Sequence, residues 1–149
     1  MIASVSGKII QKSTDSLVIE VGGVGLQVYV PAPTKDRFHP GEAVFLFTSL
    51  IVRQDLLALY GFETQEGREF FEHLLSVDGI GPKSALSVLS VMAPDAIRRA
   101  VFNEQAEIFT RVPGIGKKTA QKILLYLQDR VKPVEGLESI SILSDVDGE

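Results

Sequence analysis

The chain contains no cysteine. Disulfides, thiolate metal sites and cysteine nucleophiles are therefore excluded together, and the composition suits a reducing compartment. Histidine is scarce: His39 and His73 are the only two, in unrelated settings, too few to build a zinc site. Long apolar runs are also missing. The longest, Ala43 to Val52, is interrupted by Thr48 and Ser49 and falls far short of the roughly 20 residues of a membrane span. The N-terminus, Met-Ile-Ala-Ser-Val-Ser-Gly, lacks the basic start and apolar core of a signal peptide. A soluble cytoplasmic protein is expected, with no membrane partner and no cofactor.

An overall excess of positive charge is absent too. The net charge of −4, taken alone, argues against nucleic acid. Its distribution removes most of that objection. Residues 1–62 carry five basic and five acidic side chains, and residues 63–73 carry one and four. Residues 74–130 carry eight basic and five acidic, and residues 131–149 one and five. Phosphate attraction depends on charge within a Debye length of about 8 Å, not on the molecular total. A locally basic segment between acidic neighbours suits a selective phosphate reader.

What is present is 149 residues, of which 45% are apolar, enough to bury a core. The first sixty read as strands: Ser4 to Gln11, Leu17 to Val21, Gly25 to Val30, Ala43 to Val52 and Leu56 to Gly61. Turn signals separate them, at Ser13-Thr14-Asp15-Ser16, Gly22-Gly23 and the Pro31 to Gly41 stretch. Five short strands with one longer connection suit a small OB-type barrel; a five-stranded meander fits the same pattern. After Gly61 the apolar period becomes helical. Glu63 to Ser76, Pro82 to Met92, a helix opened by Pro94, one capped by Asn103, and Lys117 to Val131 make about five helices. The fold class is thus α+β, a barrel over 1–62 followed by an all-α domain over 63–132. Residues 133–149 read as an acidic linker or tail.

The helical half contains a repeat. Residues 74–90 laid over 109–125 match at seven of seventeen positions: Val77/Val112, Gly79/Gly114, Ile80/Ile115, Gly81/Gly116, Lys83/Lys118, Ala85/Ala120 and Leu89/Leu124. Ser84/Thr119 adds a matched hydroxyl. One Gly-x-Gly means little; the same pattern twice, each time between helices, marks one unit used twice. The first glycine lets the chain reverse in few residues. Ile80 or Ile115 plugs the turn into the core. The second glycine brings bare backbone to the surface, and the new helix offers free N–H groups to an anion. Lys83, Lys117 and Lys118 add full charges, Ser84 and Thr119 add hydroxyls, and Lys122 follows one turn later. Such a site reads one or two DNA phosphates and no base edge. The competing reading is a plain turn. A Rossmann or P-loop reading fails, because neither copy follows a strand and the Gly-Lys spacing is wrong.

The pair resembles the helix-hairpin-helix motif of DNA binders that ignore sequence. Together with Val21-Gly22-Gly23-Val24-Gly25 and Val52-Arg53-Gln54-Asp55 … Leu59-Tyr60-Gly61-Phe62, the chain from Met1 to about Pro133 closely resembles the RuvA family of Holliday junction branch migration subunits. The resemblance implies an OB-fold, a tandem helix-hairpin-helix domain binding four-way junction DNA, and a homotetramer; whether one tetramer or an octamer of two holds the DNA stays open. It implies an acidic pin at the junction centre, with Arg53, Gln54 and Asp55 in its position, where the family usually has two adjacent acids and this chain has one. Carboxylates there would repel converging phosphates and keep strands apart. Arg53 would contact DNA backbone or pair with Asp55. The resemblance further implies a RuvB-type ATPase partner, recruited by a third domain not found in this sequence, and a RuvC-type resolvase. The chain itself would be a scaffold without catalysis. Two rivals remain: a glycosylase or nuclease, since those enzymes carry the same hairpins, and a structural subunit whose hairpins pack only on protein.

Overall fold

The computed structural model describes residues 1–131. The expected linker over 133–149 lies outside the described residues. Five strands, β1 (Ser4–Lys12), β2 (Ser16–Val21), β3 (Val24–Tyr29), β4 (Ala43–Arg53) and β5 (Leu56–Phe62), form a closed barrel in the order β1-β2-β3-β5-β4. Both glycines of the β2–β3 turn have positive φ, +57° at Gly22 and +86° at Gly23. Paired left-handed residues match the twist of a two-residue hairpin, and Val21 then lies opposite Val24. The β3–β5 pairing is parallel, Val28 to Leu59 and Tyr29 to Tyr60, so a crossover must precede it. The Pro31 to Gly41 stretch begins that crossover and holds one short helix, α1 (Ala32–Arg37). This is the OB-type arrangement.

Alternation along the strands fills the barrel with Val5, Ile9, Leu17, Ile19, Val28, Leu46 and Leu59. The helices α2 (Gln65–Leu75), α3 (Pro82–Val91), α4 (Pro94–Phe102) and α5 (Lys117–Arg130) enclose a second core around Phe71, Leu74, Ile97, Phe109, Ile123 and Leu127. Ala58, Tyr60 and Phe62 belong to that second core. Strand β5 is therefore apolar on both faces, with one face in each core. Its aromatic side continues into the helices: Tyr60 stacks on Phe71 with ring centres 4.9 Å apart, and Phe62 lies 5.0 Å from the same ring.

Polar ties reinforce the join. Arg68 of α2 donates to the carbonyl of Ala3 at 2.9 Å. Thr34 donates to Glu63 at 2.8 Å, and Arg37 pairs with the same carboxylate at 2.6 Å. The Ala32 N–H donates to the Ser90 hydroxyl at 3.0 Å.

One helix boundary differs from expectation. Asn103 ends α4 as its C-cap, and Glu104 follows in a left-handed conformation, φ +54°. The next element is a 3-10 helix, Ala106–Arg111. The physical reason is the way α4 closes: the N–H of Glu104 donates to the Val101 carbonyl at 3.2 Å and that of Gln105 to the Ala100 carbonyl at 2.9 Å, the paired bonds of a Schellman cap. Pro113 holds Val112 extended, and the 3-10 helix ends at Arg111. No helix among the described residues is long and apolar enough to cross a membrane.

Candidate nucleic-acid interface

The two repeats fold alike. In the first, the N–H of Ile80 donates to the carbonyl of Val77 at 3.1 Å; in the second, Ile115 donates to Val112 at the same 3.1 Å. All four of these side chains are buried. Gly79 and Gly114 turn the chain with φ of +90° and +88°, in the region that favours glycine. Gly81 and Gly116 are the N-caps of α3 and α5, with φ, ψ of −97°, −179° and −88°, 177°. Their carbonyls accept the first helical bonds, from Ala85 at 3.0 Å and Ala120 at 2.9 Å. The sequence repeat is thus a repeat in space, from the plugging isoleucine to the helix start.

Nothing inside the protein requires glycine at 81 or 116. Both have extended backbones that any residue adopts, and a Cβ added at either would meet no atom within 4 Å. The missing side chain leaves bare backbone facing open space.

The helix starts differ from their neighbours in charge, and share the lack of a side-chain cap with α4, whose N-cap is Ala93. Helix α2 has Thr64 as a side-chain cap, accepting from Gly67 at 3.0 Å, and both α2 and α4 have an acid in the first turn, Glu66 and Asp95. Helices α3 and α5 have neither a side-chain cap nor an acid. Instead Lys83, Lys117 and Lys118 stand exposed at the positive end of the macrodipole, where cations destabilise a helix. The first-turn N–H groups are left without an intrahelical acceptor. Uncapped donors beside excess cations make an arrangement able to accept an anion, and it occurs twice. Ser84 and Thr119 sit half-buried at the third position of each helix.

Lys122 occupies an unexpected place. It lies on α5, in the second motif, yet its ammonium is 3.7 Å from the carboxylate of Asp78 in the first hairpin. Among the described residues this is the one ion pair that joins the two motifs. Reasoning from the sequence misses Asp78, although a signal exists. At the repeat offset Asp78 aligns with Pro113, one of the positions where the two copies differ in charge.

The remaining candidates, Arg53, Gln54 and Asp55, sit at the tip of the β4–β5 hairpin. Arg53 pairs with Leu56, leaving Gln54 and Asp55 as a two-residue turn. All three are exposed, and neither Arg53 nor Asp55 forms an ion pair among the described residues. The expected alternative of an Arg53–Asp55 pair is not observed. Val52 and Leu57, opposite each other just behind the tip, are 67% and 74% exposed. This tip is on the barrel, on different elements from either glycine hairpin.

Comparison with known sequences agrees with both halves of this architecture. Residues 1–61 match the RuvA N terminal domain, and residues 71–129 match the SAM-like helix-hairpin-helix tandem. The chain is 50% identical over 135 residues to the Holliday junction branch migration complex subunit RuvA of Symbiobacterium thermophilum, covering 90% of this chain and 66% of the relative. The chain belongs to the RuvA family. Two more members of the family bear the same name. RuvA of Thermobifida fusca is 44% identical over 131 residues, 88% of this chain and 65% of the relative. RuvA of Salinispora tropica is 46% identical over 134 residues, with 90% and 67% covered. The chain spans about two thirds of the length of these relatives.

Proposed function

We propose that the chain binds four-way junction DNA by its backbone and holds it open for branch migration driven by a partner ATPase. The observation that carries this reading is the doubled helix start at Gly81 and Gly116. Each lacks a side chain that the fold would tolerate, lacks a cap, and gathers lysine where the helix itself disfavours it. A nucleic-acid phosphate satisfies the donors and the cations together. Two such sites in tandem suit the two strands of a duplex arm. The assigned contact residues are Gly79, Ile80, Gly81, Lys83, Ser84, Gly114, Ile115, Gly116, Lys117, Lys118, Thr119 and Lys122, the isoleucines acting by seating the turns.

In this reading residues 63–132 grip the arms, while the barrel, residues 1–62, assembles four copies around the crossover. The tip at Arg53, Gln54 and Asp55 then faces the point where strands part. One carboxylate per copy sits there, so phosphates are repelled by half the charge that two adjacent acids would give. The chain performs no bond chemistry; a RuvB-type motor supplies the work, and a RuvC-type resolvase is a further partner. The relatives' shared name, a subunit of a branch migration complex, supports this division of labour.

Gel shift with an immobile four-way junction against a linear duplex of equal length tests the proposal. Preferential retention of the junction, as a complex with four chains by mass, is the expected outcome. Equal binding of both substrates, or of neither, overturns it.

A further inference from the structure

The two hairpins carry different charges. Where the second motif has Lys117, the first has Pro82; where the second has Pro113, the first has Asp78. The first hairpin therefore brings one lysine and one carboxylate, the second two lysines and no acid. Lys122 lies one helical turn beyond Lys118 on the same face of α5. Its ammonium is directed across to the first hairpin and rests 3.7 Å from Asp78. The Asp78 side chain is 97% exposed and that of Lys122 43%, so water reaches the pair from outside. A pair this open breaks and re-forms readily.

A carboxylate oxygen and a phosphate oxygen present the same acceptor to an ammonium group. We propose that Asp78 is an internal stand-in for a DNA phosphate, so that Lys122 passes between the Asp78 carboxylate and the nucleic-acid backbone and thereby speeds release. The proposal rests on the reading of the hairpins as phosphate sites. Two effects act in the same direction. When Lys122 is on DNA, its pair with Asp78 is broken, and the loss of that pair raises the energy of the bound state alone. When Lys122 leaves a phosphate, an acceptor is already waiting, so the ammonium is never stranded in a partly dried interface. A protein through which DNA must slide gains from interactions that let go quickly. The second hairpin, with no acid of its own, supplies the steadier hold.

The test is the release rate of a fluorescent four-way junction after mixing with excess unlabelled junction, read for the whole chain and four variants. Asp78→Asn is expected to slow release about two- to fivefold, the scale of one exposed ion pair. Lys122→Gln is expected to speed it. In the Lys122→Gln background, Asp78→Asn is expected to change nothing, because the lysine that passes between the two acceptors is gone. A release rate for Asp78→Asn equal to or above that of the unaltered chain overturns the proposal. So does slowing that persists without Lys122, which would make Asp78 a bare source of repulsion. Lys118→Glu distinguishes failure of the phosphate sites from failure of the relay between them. Unchanged binding in Lys118→Glu sinks the phosphate reading itself, whereas weakened binding there with a silent Asp78→Asn sinks the present proposal alone.

Discussion

Gly79 and Gly114, thirty-five positions apart, hold the same left-handed turn to within a few degrees, φ +90° and +88°. Two residues further on, Gly81 and Gly116 hold the same extended conformation with open space where a side chain would stand. The outer pair answers to the backbone and the inner pair to whatever approaches from outside. Substitution should separate them. Alanine at Gly79 or Gly114 is expected to cost about 1–2 kcal/mol of folding stability, since an L-residue is strained at positive φ. Serine at Gly81 or Gly116 is expected to hold stability within about 0.5 kcal/mol, because serine is a good N-cap. It also takes up a donor meant for an anion, and junction affinity should fall about tenfold. Urea denaturation and fluorescence anisotropy on the same samples read both quantities.

Lys83 and Lys118 are matched in the repeat and exposed. Exchanging both for glutamate should hold or raise the melting temperature, since acids suit a helix start, and weaken junction binding. The dependence of log affinity on log salt should flatten by about 0.9 for each phosphate no longer neutralised. Anisotropy titrations across a salt series measure that slope. An unaltered slope with unaltered affinity would move the DNA to another surface.

Phe71 is fully buried and touches both Tyr60 and Phe62 of the barrel's last strand. Phe71→Ala is expected to cost about 3–5 kcal/mol, the range for emptying a large buried aromatic site. Chemical denaturation gives the value. A drop under about 1 kcal/mol, well below that range, would mean that the two cores are joined elsewhere.

Tyr60 is held above its ordinary pKa by burial first, then by Tyr29 and Asp15, with Arg53 opposing. An acid whose folded pKa exceeds its unfolded value favours the folded state while it stays neutral. That contribution is complete below the unfolded pKa, near 10, and is lost as pH rises from there through the folded value. The denaturation midpoint should therefore drop as pH climbs above about 10, and Tyr60→Phe should lessen the drop. Equal slopes for both proteins would show that the ionisation of Tyr60 is not the cause.

Much of this architecture is legible in the chain itself. The five strands, the turn at Gly22-Gly23 and the two glycine elbows all rest on short-range chemistry: alternation, positive φ and helix starts. The elbows are visible because they occur twice. Asn103 misleads because its preference for helix starts is a local tendency, and here the chain turns back through left-handed Glu104 to close α4 instead. Asp78 escapes notice because an ion pair between residues 78 and 122 is set by how α5 lies across the first hairpin, which no local pattern reports. The sharing of β5 between two cores is equally hidden, although its apolar stretch from Ala58 to Phe62, buried at every position, is what a strand covered on both sides looks like.

That shared strand has a mechanical meaning. The helices do not hang from the barrel on a tether; they use one of its staves as their own floor. A load placed on either glycine elbow therefore meets the barrel wall through packed side chains, the aromatic pair Tyr60 and Phe71 among them.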